Sequence, residues 1–177
     1  FKAPSEEERA RDYLWRCHAV VPRNGELMVW NRSHYEDVLV PPVMGWIDKA
    51  ETKRRYAQIN AFELMLTQTG TTLLKIMLHI SKNEQKKRLQ ARIDDPEKNW
   101  KFSLGDLETR KHWDLYQHHY EKMLTATSTQ LVPWYVVPAN DKLHRNLMIA
   151  ELLVHTLQKM KLKAPKANPL LQGLVGQ

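Results

Sequence analysis

Hydrophobic and polar positions along the chain fall into two rhythms, and each change of rhythm marks the border of an element. Residues 27–30 (LMVW) form a short unbroken apolar run, and residues 71–80 (TTLLKIMLHI) a longer one with β-branched members. Both runs predict strands buried on two faces. Residues 133–138 (PWYVVP) predict a third strand. The other rhythm is helical. Tyr13, Leu14, Cys17 and Val21 make an apolar stripe that ends at Pro22. Tyr56, Ile59, Phe62 and Leu66 make another, on a helix that begins near Lys49 and is closed by Gly70. Leu89 and Ile93 are expected to face inward from a helix that stops at Asp94-Asp95-Pro96. One long helix is predicted over 103–124, with Leu107, Trp113, Tyr116, Tyr120, Met123 and Leu124 on its inner face. Leu143, Leu147, Ala150, Val154 and Leu157 follow the helical period on the last element.

Caps sharpen these borders. Ser5 with Glu8, Ser81 with Glu84 and Ser103 with Asp106 have the capping-box spacing, an N-cap oxygen with an acid three residues on. Asn140 is the expected cap of the last helix. Arg23-Asn24-Gly25 reads as a turn and Pro41-Pro42 as a break. Strands that alternate with helices predict an α/β fold, a parallel sheet sandwiched by helices. Three strands are few for such a sheet, so others are expected before Phe1, with Phe1-Lys2 as the end of one.

Composition bounds the picture. A chain of 177 residues suits one domain with a sizeable core, and 42% hydrophobic with 27% charged residues is the balance of a soluble globular protein. No apolar run approaches the roughly 20 residues that span a bilayer, and the charged opening residues are not a secretory leader. The single cysteine, Cys17, allows no disulfide framework and fits a reducing cytoplasm; its place on an apolar stripe makes it a small buried hydrophobe. The net charge of +7 favours a polyanionic partner. Part of that excess lies in Lys159, Lys161, Lys163 and Lys166, which no acid follows. The domain is therefore expected over 1–162, and 163–177 as a disordered basic tail.

Two groups of residues carry candidate chemistry. Asn31-Arg32-Ser33 ends the first predicted strand, and open parallel sheets bind ligands at the carboxyl ends of their strands. Arg32 offers a planar fork of donors suited to phosphate. The same residues also read as a helix cap, Ser33, beside a surface arginine. Residues 82–101 carry Lys82, Lys86, Lys87, Arg88, Arg92, Lys98 and Lys101 against Glu84, Asp94, Asp95 and Glu97. Arg88 and Arg92, four apart on a helix, repel by roughly 0.2–0.5 kcal/mol when bare, and an anion between them reverses the sign. A solvated face is the alternative.

The remaining signals are weaker. No histidine pair at helical spacing and no CxxC points to zinc. His79 is expected to be packed and hydrogen-bonded at a strand end. The tryptophans read as core except Trp100, which sits in a polar loop that it could brace, or stack there on a base. No Ser-His-Asp or nucleophile-elbow pattern stands out. Phosphoryl transfer fits the residue types better, because it needs positioning and positive charge, although the phosphate-cradling G-x-x-x-x-G-K-[ST] loop is absent. No nucleic-acid-binding motif is present either, so nucleic acid is not an expected partner.

Taken in order, FKAPSEEE, DYLWRCH, NRSHYEDVLV, INAFE, LHISKNEQKKRL, DDPEKNWKFSLGD and WYVVPAN make the chain similar to the type-2 polyphosphate kinases, from Phe1 to about Lys161. The resemblance implies a P-loop kinase fold like that of thymidylate kinase, with a helical lid over about 82–110. It implies in-line transfer of a phosphoryl group between inorganic polyphosphate and a nucleoside mono- or diphosphate such as AMP, ADP or GDP. Mg²⁺ would assist, in a homo-oligomer. Asn31-Arg32-Ser33 would occupy the Walker-B-like strand tip, with Arg32 on phosphate. Asn31, an amide and so a weaker ligand than a carboxylate, would sit by the metal, with Glu36 a further candidate ligand. Lys2 would line the polyphosphate channel, Arg88 and Arg92 would neutralise phosphate charge from the lid side, and Lys98 and Lys101 would belong to the lid loop.

The family's Walker A loop precedes its FKAP segment. The P-loop and the strand before it are therefore expected upstream of Phe1, and the sequence is expected to be a fragment, a cleaved chain or an incomplete record. The alternative expectation is a non-catalytic remnant that binds polyanions or a partner subunit.

Overall fold

The computed structural model describes residues 1 and 3–163. The expectations for Lys2 and for the tail over 164–177 lie outside the described residues. The α/β architecture is as predicted. Strands β1 (Lys75–His79) and β2 (Trp134–Pro138) pair in parallel, with Lys75 opposite Trp134 and His79 opposite Pro138. Parallel neighbours need a long crossover. Here it contains α5 (Lys82–Asp94), a 3-10 helix (Asn99–Lys101), α6 (Leu104–Lys111) and α7 (Trp113–Thr127). Before β1 the chain forms α1 (Glu6–Arg9), α2 (Trp15–His18), a 3-10 helix (His34–Val38), α3 (Val40–Val43) and α4 (Lys49–Gln68). Helix α8 (Lys142–Met160) follows β2.

The core is built on α4. Its predicted stripe of Tyr56, Ile59, Phe62 and Leu66 is buried. Tyr56 and Ile59 pack with Tyr35, Val38 and Leu39 of the preceding turn and with Met123 of α7. Phe62 and Leu66 pack with Cys17, and Phe1, Trp30 and Leu73 lie against them. Cys17 is fully buried as expected, and that burial pushes its thiol up to about 12, leaving it no thiolate at neutral pH. The boxes at Ser5 and Ser103 form with both reciprocal bonds, and Ser81 accepts from the Glu84 amide.

Several elements depart from the sequence reading. Leu27, Met28 and Val29 are exposed and irregular, because no strand among the described residues pairs with them and a buried strand must satisfy its backbone groups through neighbours. Of 71–80 only Lys75–His79 is strand, and its last two residues are exposed. Pro41-Pro42 does not break the chain; it occupies the first turn of α3, where a missing N–H forfeits no helical bond. The single helix expected over 103–124 is two, divided at His112, whose N–H bonds tightly to Thr109 (3.1 Å) and ends α6. Asp141, not Asn140, caps α8; the Asn140 amide oxygen is committed to the Ser81 N–H at 2.9 Å. The stripe of α8 faces solvent, with Leu143 81% exposed, and Ile93 and Leu107 are exposed too. Trp15 and Trp46 are likewise at the surface and not in the core.

Candidate active site

The strand tip survives as a tight turn without its strand. Ser33 is both an N-cap, accepting from the Tyr35 amide at 3.4 Å, and the end of the exposed pair Asn31-Arg32. The amino terminus of Phe1 donates to the Arg32 carbonyl at 3.1 Å, and the rings of Phe1 and Trp30 meet edge to face. The Arg32 side chain forms no ion pair among the described residues. It lies near Tyr120 of α7. Burial raises that phenol, the acids and phenols around it, Glu36 and Tyr116, add to the rise, and Arg32 opposes it. The structure thus shows Ser33 as a cap beside an exposed arginine at this turn.

The basic segment is divided by its partners. Arg88 donates to Glu84 at 2.7 Å and turns its other end onto the carbonyls of Ala139 and Asn140 beyond β2. Arg92 is 42% exposed and stands 3.6 Å from Asp106 of α6. Lys98 pairs with Asp95, and Lys101 lies over the Trp100 ring at 4.9 Å. Trp100 braces its loop by donating to the Glu97 carbonyl at 2.9 Å. Arg110 donates to the Lys82 carbonyl and the Gln85 side chain, so α5 and α6 are tied together.

Behind the turn lies a buried polar node that the sequence reading missed. Glu63 of α4 is 2% exposed. Its Oε1 accepts from the Tyr35 hydroxyl at 2.6 Å and from His34 Nε2 at 3.2 Å. Its Oε2 accepts from Lys75 Nζ at 2.7 Å, and Lys75 also donates to Tyr35 Oη (3.0 Å) and the Thr127 carbonyl (2.7 Å). All three ammonium donors are used. Burial pushes the Glu63 carboxyl up, but hydrogen bonds from His34, Lys75 and Tyr35 outweigh it and hold it below the ordinary carboxylate range. The signal was present in the sequence: a glutamate between Phe62 and Leu66, and a lone lysine inside an apolar run.

A depressed carboxylate stabilises the fold above its unfolded pKa of about 4.3, and that contribution disappears as pH falls through the folded value. Acid unfolding should therefore steepen below about pH 4.3, and Glu63→Gln, which cannot titrate, should flatten that limb in urea titrations across pH. Equal slopes in both proteins would refute the assignment.

A cleft of about 490 Å³ opens at the carboxyl end of β1, between the sheet and α7. Met77, Val136 and Leu124 floor it, with Asp114, His118 and Tyr120 among the polar groups lining it. His79 is there as well, exposed instead of packed. Tyr120 joins this cleft to Arg32; Arg88 and Arg92 do not line it. Among the described residues no three His, Cys, Asp or Glu side chains converge on a point where a metal could sit. Such a cage is not what Mg²⁺ requires, since that ion is usually held by one or two carboxylates together with water and substrate phosphates; Asn31 and Glu36 offer one amide and one carboxylate. No helix among the described residues is long and apolar enough to cross a membrane.

Residues 1–165 match the family model described as polyphosphate kinase 2. The chain is 50% identical over 175 residues to the AMP/ADP-polyphosphate phosphotransferase of Meiothermus ruber, a match that covers 99% of this chain and 66% of that protein. It is 42% identical over 181 residues to the ADP-polyphosphate phosphotransferase of Rhodopseudomonas palustris, covering 96% and 63%. The crystal structure of polyphosphate kinase 2 from Arthrobacter aurescens TC1 matches with a TM-score of 0.92 and 52% identity over 95% of this chain and 59% of that one. The chain therefore spans less than two thirds of the length of each of these relatives. Its P-loop-kinase-like α/β fold is shared with that crystal structure. By family model and by identity alike, the chain belongs to the polyphosphate kinase 2 family.

Proposed function

We propose that the protein containing this chain transfers a phosphoryl group between inorganic polyphosphate and a nucleoside mono- or diphosphate, in line and without a covalent intermediate. The observation that carries this reading is Arg32, an exposed guanidinium with no carboxylate partner among the described residues, held in a pinned turn beside a cleft at the end of a parallel strand. Positive charge placed where charge develops is what phosphoryl transfer asks of a protein. The names of the relatives, which couple polyphosphate to AMP and ADP, support the choice of substrates; GDP is a third candidate acceptor.

Arg32 holds phosphate at the turn. Helices α5 and α6 form the lid, with Lys98 and Lys101 in its loop, and Arg92 meets the phosphate chain by exchanging Asp106 for it. Arg88 braces the lid on β2 and adds its charge from there. Asn31 hydrogen-bonds the same phosphates. Mg²⁺ is the metal we assign to the whole protein, where it would neutralise phosphate charge, with Asn31 and Glu36 as the candidate ligands from this segment. A cytoplasmic homo-oligomer completes the reading. A lone buried cysteine supports the reducing compartment.

Arg32→Ala and Arg92→Ala, each made in the full-length protein, should lower turnover of polyphosphate with ADP or AMP about tenfold or more. Nucleotide formation followed by coupled assay reads the effect. Unchanged kinetics in both variants would reject this site.

A further inference from the structure

We propose that Glu63 is a positioning residue for Arg32: from inside α4 its carboxylate clamps His34 and Tyr35 and ties both to Lys75 of β1. The inference rests on the reading of Arg32 as a phosphate-binding residue. Arg32 has no partner among the described residues that holds its side chain, so the backbone on either side fixes its place. Upstream, Trp30 meets the rings of Phe1 (5.1 Å) and His34 (5.7 Å) edge on. Downstream, Ser33 accepts from the Tyr35 amide through its side chain and from the Glu36 amide, at 3.1 Å, through its carbonyl. The turn thus closes directly onto His34 and Tyr35.

Those two side chains end on one oxygen, Glu63 Oε1. A carboxylate only accepts, so His34 Nε2 carries its proton toward Glu63, and His34 Nδ1 is buried with no partner among the described residues. Tyr35 Oη in turn accepts from Lys75, and Lys75 reaches the end of α7 at Thr127. The turn beside Arg32 is fastened in this way to α4, β1 and α7 together.

Stability alone does not account for the arrangement. A buried ion pair exchanged for apolar groups of like volume is often neutral or stabilising, and the cluster around Ile59 already buries this face. Apolar packing does not supply direction. Hydrogen bonds of 2.6 and 2.7 Å tolerate little angular error, and Arg32 lies three residues from the phenol they hold.

The test is a double-mutant cycle on binding, in which the full-length protein is titrated with inorganic polyphosphate and the melting temperature of each variant is recorded. Tyr35→Phe removes one oxygen and keeps the ring that packs on Trp134. It should raise the Kd roughly fivefold in the native background and change it by less than about 1.5-fold in the Arg32→Ala background. His34→Gln, which keeps a donor for Glu63, should retain the native Kd where His34→Ala loses it. Val137→Ala, a truncation of a buried β2 residue outside both core clusters, should lower the melting temperature and leave the Kd alone. A Tyr35→Phe effect equal in both backgrounds, or none while Arg32→Ala weakens binding, overturns the positioning role and leaves the Arg32 reading standing. Should Tyr35→Phe fail to fold, His34→Ala makes the second cut at the same oxygen and is judged by the same cycle. An unchanged Kd in Arg32→Ala defeats the Arg32 reading itself, and the proposal with it.

Discussion

Glu63→Gln is expected to cost the chain about 3–5 kcal/mol of folding stability, the loss found when one partner of a buried ion pair is removed. The amide cannot replace the carboxylate. It accepts through one oxygen, whereas Tyr35, His34 and Lys75 all donate to Glu63. The ammonium of Lys75 would stay 7% exposed beside a neutral group. Native domains of this size are stable by only about 5–15 kcal/mol, so the variant should unfold at far lower urea. The double change Glu63→Leu with Lys75→Met should recover part of the loss, because no charge is then left unpaired in the interior. A midpoint shift equivalent to less than about 1 kcal/mol in Glu63→Gln would mean the node is solvated in solution.

Ile59→Ala is expected to cost about 2–5 kcal/mol, the range for truncating a fully buried aliphatic side chain. Ile59 is 0% exposed and touches the 3-10 turn on one side and Met123 of α7 on the other. A cavity there cannot close without moving α4 against α7. Leu143→Ala, by contrast, should stay within about 0.5 kcal/mol, since a surface truncation removes little burial. Urea midpoints of the two variants measure the difference. A loss at Leu143 as large as at Ile59 would mean that α8 is covered in solution.

What the sequence made legible was local. The stripe of α4 could be read because one face of a regular helix meets one core, so burial and periodicity coincide at Tyr56, Ile59, Phe62 and Leu66. The caps at Ser5, Ser81 and Ser103 involve atoms within three residues. The residues at 27–30 and the stripe of α8 failed for one shared reason. A hydrophobic pattern states that a surface favours burial, and the partner that would bury it is set by the rest of the fold. Arg88 stands out in the sequence by its charge, yet the carbonyls of Ala139 and Asn140 that take its donors lie 51 and 52 residues further along the chain. Glu63 and Lys75 were passed over because each looked like one polar residue among apolar neighbours. Their pairing forms across the turn between α4 and β1, where Lys75 comes back to 2.7 Å from Glu63, and no spacing rule encodes it.

The parallel pairing of Lys75 with Trp134 also governs how the chain is made. Helix α4 needs only bonds between near neighbours, whereas β1 finds its mate after three further helices have been synthesised. At the usual pace of ribosomes that delay is on the order of seconds. Throughout it β1 carries an open edge toward β2 and a lysine in place of Val, Ile or Leu. Such a charge acts as a gatekeeper against edge-to-edge association of nascent chains. The same ammonium that later completes the interior thus guards the strand while it waits.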